Sequence, residues 1–84
     1  MTNEEFDILD ELYFLTSINN LQENCGMKLP ELKLNLWLLI EREWVLCHQN
    51  GDEEIIPTKT QFETEFSNYH YLASKKGLLA HNAK

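Results

Sequence analysis

The sequence predicts an α+β fold: a three-helix core, then a β-hairpin, then a short closing helix. Apolar residues recur at helical spacing through the first half of the chain. Asn50-Gly51 separates two short β-like stretches, and a type I′ turn needs positive φ at both of its central residues. Start and stop signals at Thr16-Ser17, Gly26 and Pro30 divide the helical half into three. With 84 residues, 43% of them hydrophobic and 11% aromatic, the chain makes one domain spanning 1–84 and can bury a core. At this size only about 60–70% of the unfolded surface is buried on folding, so contact with a second chain would add stability.

The first helix is expected over 4–15. Phe6, Leu9 and Tyr13 recur at helical spacing, with Ile8, Leu12 and Leu15 widening the stripe. Asn3 is the expected N-cap, and Glu4, Glu5 and Asp7 suit the positive end of the helix dipole. Thr16-Ser17 opens a second helix on which Ile18, Leu21 and Cys25 share a face, with Gly26 as its left-handed C-terminal residue. Pro30 is expected at the first position of a third helix that runs to Arg42. Residues 44–49 are β-like, and the return arm runs from Asp52 to Ile56, where Pro57 stops it. Thr60 with Glu63 makes a capping box for a helix at about 60–67, and Phe62 and Phe66 are an i,i+4 pair. The stretch 69–73 reads as a strand with Tyr69, Tyr71 and Ala73 on one face; the alternative extends the preceding helix to Lys76, with Gly77 as its cap. Residues 74–83 form the closing helix.

Lys and Arg number 7 against 14 Asp and Glu, for a formal charge of −7. Such a chain repels phosphate backbones and anionic membranes, and it has no basic stripe: Lys75-Lys76 is the only adjacent pair of cations. No apolar run approaches the roughly 20 residues of a membrane helix. The acidic opening Met1-Thr2-Asn3-Glu4-Glu5 is unlike a secretory signal or a transit peptide, so a cytoplasmic location is expected. Cys25 and Cys47 are then reduced thiols. They form no CxxC pair, and His48, His70 and His81 show no metal-ligand spacing, so no metal or cofactor site is expected.

From Ser17 to Val45 the chain resembles the core pattern of the winged helix-turn-helix superfamily, as found in small bacterial regulators. Leu21 sits on the second helix, Gly26 ends it, a turn with Pro30 follows, and Leu32, Leu36 and Leu39 take the inward positions of the third helix. Glu41-Arg42-Glu43-Trp44-Val45 stands where the family has a charged pair, a glycine, an apolar residue and a valine leading into the wing. Tyr71 to Leu78 resembles the last wing strand running into the final helix. The resemblance implies a winged-helix-like fold with a β-hairpin wing and a short C-terminal helix. Glu43 departs from the pattern: it replaces the glycine, so the chain is expected to reach the wing without a left-handed residue.

In a DNA-reading member of that superfamily the third helix lies in the major groove and reads base edges through hydrogen bonds. At about 100° per residue, Leu32, Leu36 and Leu39 fall on the core face, flanked by Leu29 and Ile40. The opposite face holds Leu34, Trp37, Leu38 and Glu41, with Glu31, Asn35 and Arg42 along one margin and Lys33 along the other. Leucines cannot pair with base donors and acceptors, and Glu41 has the wrong sign for phosphate. The wing repeats the pattern with Asp52, Glu53 and Glu54 at its tip. Leaving this apolar face in water would forfeit roughly 1.5–3 kcal/mol per aliphatic side chain, so it is expected to be covered. Two covers fit: the chain's own segment 60–73, or another chain.

Other features carry less. Asp52-Glu53-Glu54 reads as a solvated tip rather than a cation loop, which needs more ligands in a set geometry. Trp44, Tyr69 and Tyr71 read as packing rather than as a stacking platform for single-stranded nucleic acid. No nucleophile or acid stands at a telling spacing from a histidine, so no enzyme is expected. The expected function is protein–protein recognition or regulation, with a protein partner or with itself as a homodimer, through Leu34, Trp37 and Leu38 as anchors and Glu41 and Arg42 on the rim. The alternative is a DNA-binding transcriptional regulator using Lys28, Lys33, Asn35 and Arg42.

Overall fold

The computed structural model describes residues 1–49 and 53–83. In chain order they form α1 (Asn3–Glu11), β1 (Thr16–Ser17), α2 (Ile18–Cys25), α3 (Leu29–Glu41), β2 (Val45–Gln49), β3 (Glu53–Ile55), α4 (Lys59–Glu65), a 3-10 turn (Phe66–Asn68), β4 (His70–Ala73) and α5 (Lys75–Asn82). The described strands make one antiparallel sheet in the order β1-β4-β2-β3. The expected α+β class is therefore present, with the helical first half followed by the hairpin arms. The turn expected at Asn50-Gly51, and Asp52 beside it, lie outside the described residues.

Helix α1 starts one residue earlier than expected and stops sooner. Thr2, not Asn3, is its cap, in a reciprocal box: the Thr2 hydroxyl accepts from the Glu5 N–H at 3.1 Å, and the Thr2 N–H donates to Glu5 Oε1 at 3.0 Å. The helix ends at Glu11 instead of 15. A strand that the helical spacing concealed takes over, with Thr16 opposite Tyr71 and Ser17 opposite His70. The Ala73 N–H also donates to the Leu12 carbonyl at 2.8 Å. These sheet bonds outweigh the helical periodicity, which leaves Tyr13 and Leu15 exposed rather than on a buried stripe. The second helix matches expectation, with Ser17 capping the Asn20 N–H and Gly26 left-handed at φ 70°.

Helix α3 begins at Leu29, so Pro30 stands second rather than first, and Arg42 closes it. There the Trp44 N–H donates to the Leu39 carbonyl and the Glu43 N–H to the Ile40 carbonyl, both at 2.9 Å. This is the Schellman pair of bonds, and it requires a left-handed residue at its centre. Glu43 supplies it, with φ 64°. The expectation that the chain avoids a left-handed residue here is thus corrected: the bonds of the cap hold a glutamate where glycine would be unstrained, at a cost of about 1–2 kcal/mol.

Helix α5 locks onto this corner. The Ser74 hydroxyl donates to the Glu43 carbonyl at 2.6 Å and accepts from the Gly77 N–H at 3.0 Å, while the Ser74 N–H donates to the Trp44 carbonyl at 2.9 Å. Gly77 is needed for close approach: a Cβ there would overlap the Trp44 carbonyl oxygen.

The ambiguous stretch 69–73 contains the strand, and Tyr69, Tyr71 and Ala73 are all buried, as alternation requires. Pairing with both β1 and β2 settles it against a longer helix. Tyr71 is fully buried and donates from its hydroxyl to the Phe66 carbonyl at 2.6 Å. Around it lie Ile8, Leu9, Leu12, Leu21, Leu32, Leu36, Leu39 and Phe62. Helix α4 is capped two residues before the expected position. The box is Thr58 with Gln61, directly after Pro57, while the Glu63 carboxylate is drawn to Lys33 at 2.6 Å and Lys59 at 3.6 Å.

Replacing Glu43 with Gly relieves the strain but loosens the unfolded chain, for a net gain of about 0.5–1 kcal/mol. Gly77→Ala should cost about 1–3 kcal/mol. Urea unfolding of both variants checks the corner, and a destabilised Glu43→Gly protein or a neutral Gly77→Ala protein would contradict it.

Candidate functional site

Helix α3 carries leucines on nearly every side, so its surroundings decide which of them meet water. Leu32, Leu36 and Leu39 are fully buried, on the face that the helical angles assign to the core. On the opposite face Leu34 is 59% exposed and Leu38 37% exposed. Their γ-branched side chains stand one helical turn apart and form a continuous apolar strip. Glu41 lies exposed beyond them.

Trp37 differs from its two neighbours. Its ring packs on Phe62 of α4, centroids 5.3 Å apart, and Lys59 Nζ lies 5.2 Å above it. It is half-buried against the core. Of the covers expected for this face, the chain's own segment reaches Trp37, which α4 shelters, while Leu34 stays largely open.

The cations at the margins are turned inward. Arg42 donates from Nη2 to Glu5 Oε2 at 2.7 Å and stacks its guanidinium over Trp44. The Glu5 side chain is 2% exposed and that of Arg42 41%. Burial alone would raise the Glu5 carboxyl above its usual range; the Arg42 and Thr2 hydrogen bonds outweigh it and hold the group below. From the sequence Glu5 is expected only as a favourable charge at the positive end of the α1 dipole. The three-residue spacing from Thr2 to Glu5 was the signal of its capping role, whereas the pairing with Arg42 spans 37 positions and leaves no local trace.

Lys33 is similarly engaged. Its ammonium pairs with Glu63 at 2.6 Å, donates to the Glu63 carbonyl at 3.3 Å and lies over the Phe66 ring. Lys33 and Lys59 hold the Glu63 carboxyl below its ordinary value. Asn35 donates to the Glu31 carbonyl within α3 at 2.9 Å. Of the residues proposed for DNA, Lys28 at the start of α3 is exposed and makes no ion pair among the described residues.

The remaining chemistry is quiet. Burial pushes the Cys47 thiol up to about 12, and burial together with Glu11, Asp7 and Asp10 pushes Cys25 up to about 11. Both stay protonated near neutrality and pack as small apolar groups. Tyr69 and Tyr71 are buried and so cannot serve as a stacking platform with Trp44. His81 stacks on Phe6, hydrogen-bonds Tyr13 Oη through Nδ1 at 2.9 Å, and brings Nε2 to 3.2 Å from Asp10, off the line of a hydrogen bond. That cluster ties α5 to α1. No group of three or more metal-ligating side chains converges among the described residues, and no described helix is long and apolar enough to cross a membrane.

Compared with family models, curated proteins and solved structures, the chain matches none.

The depressed Glu5 carboxyl makes the Arg42 pair a pH-dependent support. A carboxyl with a lowered folded-state pKa contributes stability fully present above its unfolded value near 4.5 and lost as pH falls through the folded value. Arg42→Ala should therefore cost about 1–3 kcal/mol at pH 7, because it strips a buried carboxylate of its charged partner. The gap between parent and variant should close progressively below about pH 4.5. Glu63 titrates in the same direction in both proteins and cancels from the difference. Denaturant unfolding from pH 7 down to pH 3 checks this, and a gap independent of pH would contradict it.

Proposed function

We propose that this chain is a non-enzymatic protein–protein recognition or regulatory module of winged-helix type, docking a second protein chain on the outward face of α3. The element order supports the winged-helix reading: three helices, then the β2 and β3 arms, then β4 running into a closing helix. The observation that carries the functional reading is the exposure of Leu34 and Leu38 where a DNA-reading relative would present hydrogen-bonding side chains. Leu34 and Leu38 are the anchors, Trp37 is a half-buried wall beside them, and Glu41 is the rim charge. Arg42 serves that rim indirectly, since its guanidinium is held by Glu5. Self-association is one form of this activity, and a cytoplasmic setting suits it.

DNA binding is the weaker reading. Lys33 and Arg42 are already neutralised within the chain, and a surface that binds duplex through phosphates needs several free cations. A DNA regulator would lose affinity steeply with rising salt; the present reading expects no duplex binding even at low salt.

The Leu34→Lys/Leu38→Lys double variant tests the proposal. Neither side chain belongs to the fully buried core, though Leu38 is the more covered of the two, so the thermal midpoint should stay within about 4–8 °C of the parent. Association, measured as a concentration-dependent mass by sedimentation equilibrium and as chains retained from host-cell extract, should fall at least about tenfold. Equal retention by parent and variant, or no association by either, would overturn it.

A further inference from the structure

A second concave feature adjoins the α3 strip. An open groove of about 640 Å³ runs between the C-terminal half of α3, the β2 and β3 arms and the start of α5. Its apolar lining includes Trp37, Ile40, Ile55 and Ile56, and Ile56 is 91% exposed. Trp37 belongs both to this groove and to the α3 face, so the two surfaces are continuous.

Its charges are distinctive. In a chain with twice as many carboxylates as cations, at least half of the carboxylates lack a cation by number alone, whereas every cation has carboxylates to spare. Lys33, Arg42 and Lys59 are paired. Among the described residues Lys28, Lys75 and Lys76 make no ion pair, and two of those three line the groove. Helix stability does not account for them: Lys75 and Lys76 occupy the first turn of α5, where the dipole favours carboxylates. Glu41, Glu43 and Glu54 also line the groove and also make no ion pair among the described residues. An occupant is therefore free to be acidic only where it meets the lysines.

We infer that this groove receives a peptide segment of a protein partner, with large apolar side chains against Trp37 and Ile56 and an acidic residue at Lys75-Lys76. A peptide suits a trench that is open and continuous with a recognition face. A second copy of the chain suits it less, because each copy carries a formal charge of −7. The inference rests on the recognition reading above and specifies the partner's chemistry.

A random peptide library displayed on phage, selected against the full chain, tests it. The enriched peptides are then titrated by fluorescence anisotropy against the parent, Lys75→Ser/Lys76→Ser, Ile56→Ser and Leu34→Lys/Leu38→Lys. The lysines and Ile56 are exposed, so these variants keep the fold, which circular dichroism verifies. The expected result is enrichment of peptides combining aromatic or aliphatic residues with Asp or Glu, bound about tenfold more weakly by both the lysine and the Ile56 variants, the loss of one charge-assisted or one apolar anchor. Neutral or basic peptides, no enrichment, or acidic peptides that bind the lysine variant as well as the parent would overturn it. So would a dimer of the free protein that the same two variants dissolve, since a second copy would then be the occupant. Peptides sensitive only to the Leu34/Leu38 variant would remove the groove proposal and leave the recognition reading standing.

Discussion

The left-handed turn at Glu43 is the constraint on which the arrangement depends. Two cap bonds, from the N–H groups of Glu43 and Trp44 to the carbonyls of Ile40 and Leu39, end α3 and turn the chain into β2. Ser74 then takes the Glu43 carbonyl, and the side-chain-free approach of Gly77 lets α5 rest on the Trp44 carbonyl. One end of α3 is thereby fixed to both β2 and α5, and so is its rotation about its own axis. A helix with leucines on all sides has no strong preference of its own for which side to bury. Here the corner, with α4 over Trp37, sorts them: Leu32, Leu36 and Leu39 inward, Leu34 and Leu38 outward.

The same geometry disposes of the cations. Arg42, at the end of α3, is carried to the buried Glu5 of α1, and Lys33 to Glu63 of α4. Each pair ties α3 to a neighbouring helix, and each removes a positive charge from the face that a nucleic-acid binder would need. What remains outward on α3 is apolar with an acidic edge. Of the lysines without an ion pair among the described residues, Lys75 and Lys76 line the adjoining groove and Lys28 stands at the start of α3. Apolar anchors with a few placed charges are the ingredients of a protein-recognition surface.

Much of the framework was legible in the residues because it is locally encoded. Gly26 ends α2, Ser17 caps that helix, and alternation alone picks out Tyr69, Tyr71 and Ala73 as one buried face. The inward and outward sets on α3 follow from helical angles, and Leu34 and Leu38 stand where those angles put them. What escaped is non-local. β1 exists because β4 pairs with it, and helical spacing up to residue 15 hid it. Glu5 is buried because Arg42, far along the chain, reaches it. Two Thr-x-x-Glu/Gln patterns compete near Pro57, and the salt bridges of Glu63 decide between them. Glu43 misled for a different reason: its chemistry argues against a left-handed backbone, and only the surrounding bonds over-determine it. Trp37 was grouped with the leucines by angle, and only the placement of α4 separates it from them.

The division of the α3 leucines is the claim from which the functional reading follows, and it can be observed directly. With methyl-labelled leucine, a water-soluble paramagnetic agent should broaden the Leu34 and Leu38 methyl resonances strongly in dilute protein. Those of Leu32, Leu36 and Leu39 should be nearly untouched. Equal protection of all five would mean that the strip is sealed within the fold, and the account of α3 as an outward-facing recognition helix would be wrong.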